Sequence, residues 1–535
     1  MITAVNFRPK YYSSGYNPII WSVTSDKANP ITNPTLYDFS YVFDIYINGA
    51  MVNRVIQRPN PAYAGMIDVS AIVSSYLEVG KFANESFYNQ PPYTEYPTLT
   101  NLFKPYKTGT TAVCNIKVNC GEQYRVGTST AALNIYTGTT NNIGNPSYVL
   151  GAQGFPNSPV VVLPSSLNWN QQQETLQVQQ NTAGTDYFGL FGYLAPFIPK
   201  NDGIVTATTC GGNGLFISNY PRTNTGGAWQ KTSAAPPNGI NADVLIYDRY
   251  TLTFLNRNPY YESLGGTYLQ QSSPKVAWFL FYDAEGTELG HYAAGNFEIF
   301  GGAPRVTCGD VISAYSTSIN QEFISLRVGP RDLEDDGIIS AFDGACAYYT
   351  VQLFANWDVI SGCTYSNPPY TALSELATFN IVEDCLSTLY PRVRLSFLNQ
   401  YGAHDYWNFT VFAEETVDAA SKNYYQPEVD WSSLTPVKTS GDQTQNWLKG
   451  GSRHYNRIIK NHWTITSDYL TQEQVNFLQN LVLSPQVWFY VGEDDFPYTC
   501  TIKETSYTTK TIKQVKLFTA TFNVEVSTDR TMQTV

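Results

Sequence analysis

Charge is scarce in this chain of 535 residues: 14% is Asp, Glu, Lys or Arg, against about 25% in ordinary soluble domains. Cations are the rarer sign, 32 against 44 acids, for a net charge of −12. No Lys/Arg cluster occurs, so the basic stripe that phosphate contacts need is missing and direct nucleic-acid readout is excluded. Histidine is rarer still, limited to His291, His404, His454 and His462. None stands in an HExxH helix, and there is no GxSxG elbow, P-loop or strand-framed GxGxxG. Long apolar runs are absent as well: no stretch of about 18 apolar residues offers a helical membrane span. Residues 1–8 lack the apolar core of a signal peptide, so the expectation is a chain made and folded in a cytoplasm.

The eight cysteines (Cys114, Cys120, Cys210, Cys308, Cys346, Cys363, Cys385 and Cys500) show no CxxC spacing. In a reducing compartment they read as buried free thiols rather than zinc ligands. No catalytic residue, metal or cofactor is expected. Asp332, Glu334, Asp335 and Asp336, before Gly337, are ligand types that Ca²⁺ takes, but their spacing is not that of an EF-hand. They read as a solvated loop, as do Glu493, Asp494 and Asp495. His404-Asp405 is an adjacent pair on a turn, which suits loop packing better than acid–base work. Nothing favours a carboxylate pair for glycoside hydrolysis.

What the chain has in quantity is tyrosine, 40 residues, within 43% hydrophobic and 15% aromatic composition. Aromatic, β-branched and turn-forming residues in this mixture predict an all-β protein with long loops. A polar surface made of Tyr and Asn suits interfaces, because tyrosine buries a large area and still offers a hydroxyl. The expected fold class is mainly β: several antiparallel sandwich-like or barrel-like domains with long loops, and a small C-terminal sheet carrying one packed helix.

Four segments are expected. Residues 1–123 form an N-terminal β domain, with a strand at 39–47, a type I′ turn at Asn48-Gly49 and a return at 51–57. Asp68 is expected to cap a short helix there whose face holds Ile72, Val73, Tyr76 and Leu77, and 113–118 is a further strand. Residues 124–240 are a polar, loop-rich insertion or extended β domain; no basic residue falls between Arg125 and Lys200. Its apolar patches, at 160–163 and 187–194, suggest ordering against a neighbour, with Tyr187, Phe188, Phe191 and Tyr193 as candidate interface residues. Residues 241–390 read as a β-sandwich with strands at 250–255, 276–282, 323–328 and 347–354 and a turn at 283–286. The run 250–257 echoes 393–400, each containing Phe-Leu-Asn. Residues 391–535 form a C-terminal β domain with a helix at 471–483. Thr471 and Gln474 make a capping box, Val475, Leu478, Leu481 and Val482 share a face, and Ser484-Pro485 ends the run. Phe518, Ala520, Phe522, Val524 and Val526 alternate with polar residues, the period of a half-buried strand. Tyr424 and Tyr425, in a linker, complete the candidate interface.

The run 392–409, in which a strand ending Phe397-Leu398-Asn399 leads through Gly402 to Tyr406-Trp407, resembles a segment of structural proteins of tailed bacteriophages. The stretches 463–470, 471–483, 484–490 and 511–530 resemble the same group, and so, more faintly, do Asn17-Pro18-Ile19-Ile20, the Asn48-Gly49 hairpin and residues 67–70. The resemblance implies a virion protein of the tail or baseplate, in the class of distal-tail, hub or tube-like ring proteins, assembled in the host bacterial cytoplasm. Its partners would be copies of itself in a ring and neighbouring tail proteins, with no membrane span. The alternatives are a receptor- or glycan-binding tail protein, a head–tail connector or collar component, and a polysaccharide depolymerase.

Overall fold

The computed structural model describes residues 2–77, 103–106, 114–136, 148–150, 160–167, 192–200, 213–224, 238–255, 274, 276–295, 323–335, 345–354, 372–382, 393–426, 451–491, 498–503 and 518–532. The protein is mainly β, with most strand pairs antiparallel and two parallel among the described residues. The chain divides into two compact units. One comprises Met1–Cys385 and Leu398–Tyr406, the other Leu386–Phe397 and Trp407–Val535.

In the first unit the largest sheet runs in the order Tyr12–Ser14, Val160–Leu163, Cys114–Val126, Leu36–Ile47, Ala50–Gln57, with Asn134–Tyr136 and Tyr148–Leu150 also pairing to Cys114–Val126. The hairpin at Asn48-Gly49 forms as expected: both residues have positive φ, 51° and 84°, as a type I′ turn requires. Cys114–Val126 crosses the boundary expected at residue 123. Val160–Leu163, from the supposed insertion, is buried beside it and pairs in parallel with Tyr12–Ser14. These four apolar residues complete the N-terminal core instead of waiting for a neighbour. A three-stranded sheet, Ile2–Phe7, Ile20–Ser25 and Ala64–Asp68, adds Trp21, Val23 and Ile67 to the same core. The short helix Ser70–Ser74 follows. Its N-cap is Val69, and Asp68 sits one residue earlier, accepting the amides of Ser70 (2.9 Å) and Ile19 (3.0 Å). Val73 and Leu77 are buried while Tyr76 points outward, since so short a helix covers little surface.

A six-stranded sheet is ordered Arg222–Asn224, Asn238–Val244, Ala377–Ile381, Tyr348–Phe354, Val276–Tyr282, Glu288–Gly295. Its 283–286 turn closes with the Gly286 amide on the Asp283 carbonyl. A further sheet joins Thr251–Leu255, Phe323–Arg327 and Phe103–Tyr106, so residues from the first expected segment pair with the third. The acidic run beginning at Asp332 is not a solvated loop where it is described. It lies on the helix Pro330–Asp335, and buried Asp332 meets Arg249 (3.1 Å) and Arg327 (3.6 Å) while accepting the Tyr250 amide. Two guanidinium groups offset the cost of burying that carboxylate. Asp336, Glu493, Asp494 and Asp495 lie outside the described residues.

The second unit is built on a sheet in the order Val487–Val491, Tyr498–Ile502, Thr521–Met532, Gly451–Thr466, Phe412–Gln426, preceded in it by residues 393–397 and 407–409. The helix Gln472–Leu483 carries the expected capping box, the Gln474 amide donating to Thr471 and the Gln474 side chain accepting from the Thr471 amide. Val475, Leu478 and Leu481 are buried as the spacing predicts; Val482 is half-buried and Phe477 takes the fourth core place. Phe477 packs on Phe397 and Trp407 at 5.4 and 5.8 Å between centroids. Phe522, Val524 and Val526 point inward and Thr521 and Asn523 outward, the period-two pattern of the sequence. The two Phe-Leu-Asn strands are both fully buried but lie in different sheets.

Candidate functional site

Two places concentrate polar or exposed groups. The first is a buried clasp in the first unit. Asn399 ends the Phe-Leu-Asn strand and folds the next turn around its own side chain. Its Oδ1 accepts the amides of Tyr401 (2.9 Å) and Ala403 (3.1 Å), and Gly402 supplies the positive φ of 91° that the turn needs. Its Nδ2 donates to Asp405 Oδ2 at 3.0 Å. Asp405 also accepts the Ser218 hydroxyl and the Asn219 amide, so the turn holds the segment at 213–224. Arg222 of that segment makes a two-pronged contact with buried Glu375, 2.8 and 3.0 Å, and Glu375 accepts the Phe216 amide. Paired geometry of this kind is the strong form of a charged hydrogen bond.

Burial governs the titration here. It pushes Asp405 up to about 6 against three hydrogen bonds that pull the other way, and pushes His404 down to about 4. Glu375 is raised by burial, with Arg222 opposing. The arrangement does not build a nucleophile: the Ser218 hydroxyl donates to a carboxylate rather than an imidazole, and its oxygen accepts the Tyr220 amide. Consecutive residues on the strand His404–Phe409 point to opposite faces, so His404 cannot relay for Asp405. The His404-Asp405 pair lies on a buried strand, not on a turn, and Asp405 fastens a loop. The described cysteines suit a structural role: Cys114, Cys120 and Cys500 are buried, and burial raises Cys500 to about 12. Among the described residues no three His, Cys, Asp or Glu side chains converge to hold a metal. No helix among them is long and apolar enough to cross a membrane.

The second place is a long ribbon. Phe412–Gln426 pairs antiparallel with Gly451–Thr466 along its whole length and is the last strand of its sheet among the described residues. Gly451–Thr466 is backed on its other side by Thr521–Met532. Polar pairs stitch the strands: Asp418 with His462 (3.1 Å), Glu415 with Asn461 (2.8 Å), Thr464 with Asn523 (3.0 Å), and Glu525 with Lys460 and Lys503. The two lysines hold Glu525 down to about 2.

Tyr424 and Tyr425 lie on this ribbon, not in a linker; they are 45% and 68% exposed, and Phe412 and Val417 are exposed elsewhere on the same strand. Both faces of the outer strand meet solvent, so it lacks the alternation that marks a strand in sequence. Of the other candidate interface residues, Tyr187, Phe188 and Phe191 lie outside the described residues. Tyr193 falls in the 3₁₀ turn Gly192–Phe197, with its side chain outside them. Sequence reasoning missed the clasp because Ser218 and Asp405, or Arg222 and Glu375, stand far apart in the chain with no local pattern linking them. Asn399 followed by Gly402 was its one visible trace.

Compared with known proteins, the chain matches no family model, and no curated protein matches it significantly.

Proposed function

We propose that this chain is a non-catalytic building block, assembling in multiple copies into a tail or baseplate part of a tailed bacteriophage. The observation that carries the assembly reading is the fifteen-residue outer strand Phe412–Gln426, hydrogen-bonded along one edge and bearing exposed Phe412, Val417, Tyr424 and Tyr425. A long edge strand is a template for adding a strand from another chain. Proteins that remain single blunt such an edge by shortening it, covering it or placing charges on it; this edge is the longest but one of the described strands, and its charges are Glu414, Glu415, Asp418 and Lys422. The phage context is supplied by the resemblance of 392–409 and the C-terminal stretches.

Light scattering after size-exclusion chromatography, with negative-stain imaging, tests the reading. Assemblies of fixed symmetry are expected at micromolar concentration. A strict monomer that binds glycan arrays would favour the receptor-binding alternative, and sugar release lost on mutating one acid pair would favour a depolymerase.

A further inference from the structure

The outer strand has one feature that goes beyond an open edge: its charges are self-complementary. Going along it, Glu414, Glu415 and Asp418 are followed by a single cation, Lys422. All four are exposed. Within the chain, Lys422 stands across from Asn456 rather than an acid; Asp418 stands across from Lys460, which pairs with Glu525, and keeps 67% of its side-chain surface open beyond its contact with His462. Charges of one sign, or a lysine with no acid to meet, guard an edge against pairing. An acid and a base four residues apart on the same face of a strand do something different.

We propose that Phe412–Gln426 docks antiparallel onto the same strand of a second copy, in the register that sets Asp418 of each copy opposite Lys422 of the other. This rests on the assembly reading above and names the partner and the register. Residues directly opposed across an antiparallel pair share a face, so two identical strands related by a twofold axis must place one residue opposite itself. A centre at Lys422 sets two ammonium groups against each other. A centre at Asp418 brings Lys422 opposite Glu414 but sets two carboxylates face to face at the axis. Centring the pair on Ala419 leaves Asp418 opposite Ala420, and centring it on Ser421 leaves Asp418 opposite Tyr424, with no charge pair formed in either case. Only the register centred on Ala420 brings Asp418 and Lys422 face to face, and symmetry makes the pair twice.

In the Ala420 register Thr416 faces Tyr424, Glu415 faces Tyr425 and Glu414 faces Gln426, so no like charges oppose each other directly. Opposite charges across a strand pair stabilise it modestly, and like charges opposed destabilise it. A twofold contact closes on itself, so this edge joins copies in pairs, and a ring needs a second, different contact.

Charge reversal tests the register in the full-length protein. Asp418→Lys alone and Lys422→Asp alone should each weaken association about tenfold or more, and the double variant D418K/K422D should recover most of the loss. Circular dichroism matching the parent shows that each variant folds. Separately, Ala420→Cys should give a dimer on non-reducing gels, and Val417→Cys, which faces Asn423, should not. Assembly that persists unchanged through both reversals, with no Ala420→Cys dimer, overturns this register and leaves the assembly reading standing. A parent protein that stays monomeric overturns both.

Discussion

At the scale of single residues, His404 and Asp405 set a proton balance that neither shows alone. Asp405 is raised from 3.8 to about 6 by burial, so the folded state holds its proton more tightly than the unfolded chain. Its contribution to stability is therefore largest below pH 3.8 and is lost as pH rises to about 6. His404 is lowered from 6.5 to about 4, again by burial. Its contribution is present above pH 6.5 and is lost as pH falls towards 4. Across the shared window the folded pair holds its one proton on Asp405 and the unfolded pair on His404, so the two slopes cancel. Asp405→Asn removes one side of this balance. Relative to the parent, its stability should fall by about 3 kcal/mol between pH 6.5 and 4, at about 1.4 kcal/mol per pKa unit. His404→Gln should show the opposite slope, gaining stability towards acid. Urea midpoints at several pH values read both; parallel curves for parent and variants would show that the pair does not titrate as described.

At the scale of elements, the helix Gln472–Leu483 and the ribbon show what a sequence carries and what it hides. The helix was legible because its signals are local: the capping box spans Thr471 to Gln474, and Val475, Leu478 and Leu481 recur on one face. Only Phe477 escaped, since its place in the core depends on Phe397 and Trp407, which come from elsewhere in the chain. Leu478 is fully buried, so Leu478→Ala should cost about 2–5 kcal/mol, as cavity-forming changes do. Thr471→Ala should cost about 1 kcal/mol through loss of the cap. Thermal unfolding of the two variants should rank them in that order, and Val475→Asp should prevent the helix from docking at all. Equal losses for Leu478→Ala and Thr471→Ala would mean that the helix is not seated on its sheet. The outer ribbon strand was illegible for the converse reason. Strand periodicity comes from burying one face, and Phe412–Gln426 buries neither, so Tyr424 and Tyr425 read as linker. Val160–Leu163 looked like an apolar patch in a polar insertion because its partners, Tyr12–Ser14 and Cys114–Val126, are distant in sequence. The clasp is hidden in the same way, with Asp405 and Ser218 meeting only once the first unit has folded.

At the scale of the whole molecule, a net charge of −12 opposes any contact between copies. Two such molecules repel over a range set by the Debye length, about 30 Å at 0.01 M salt and about 8 Å at 0.15 M. The contact centred on Ala420 works at much shorter range: backbone hydrogen bonds and two Asp418–Lys422 pairs lie within a few ångströms of each other and are screened less than the distant charges. Raising salt from about 0.01 M to about 0.15 M should therefore remove more repulsion than attraction and strengthen association. Sedimentation across that range measures it directly. Association that weakens steadily with salt would mean that opposite charges at long range, rather than strand pairing at short range, hold the copies together. The same titration on the D418K/K422D variant sharpens the result. Its net charge is unchanged, so its salt response should follow the parent's even where its affinity does not.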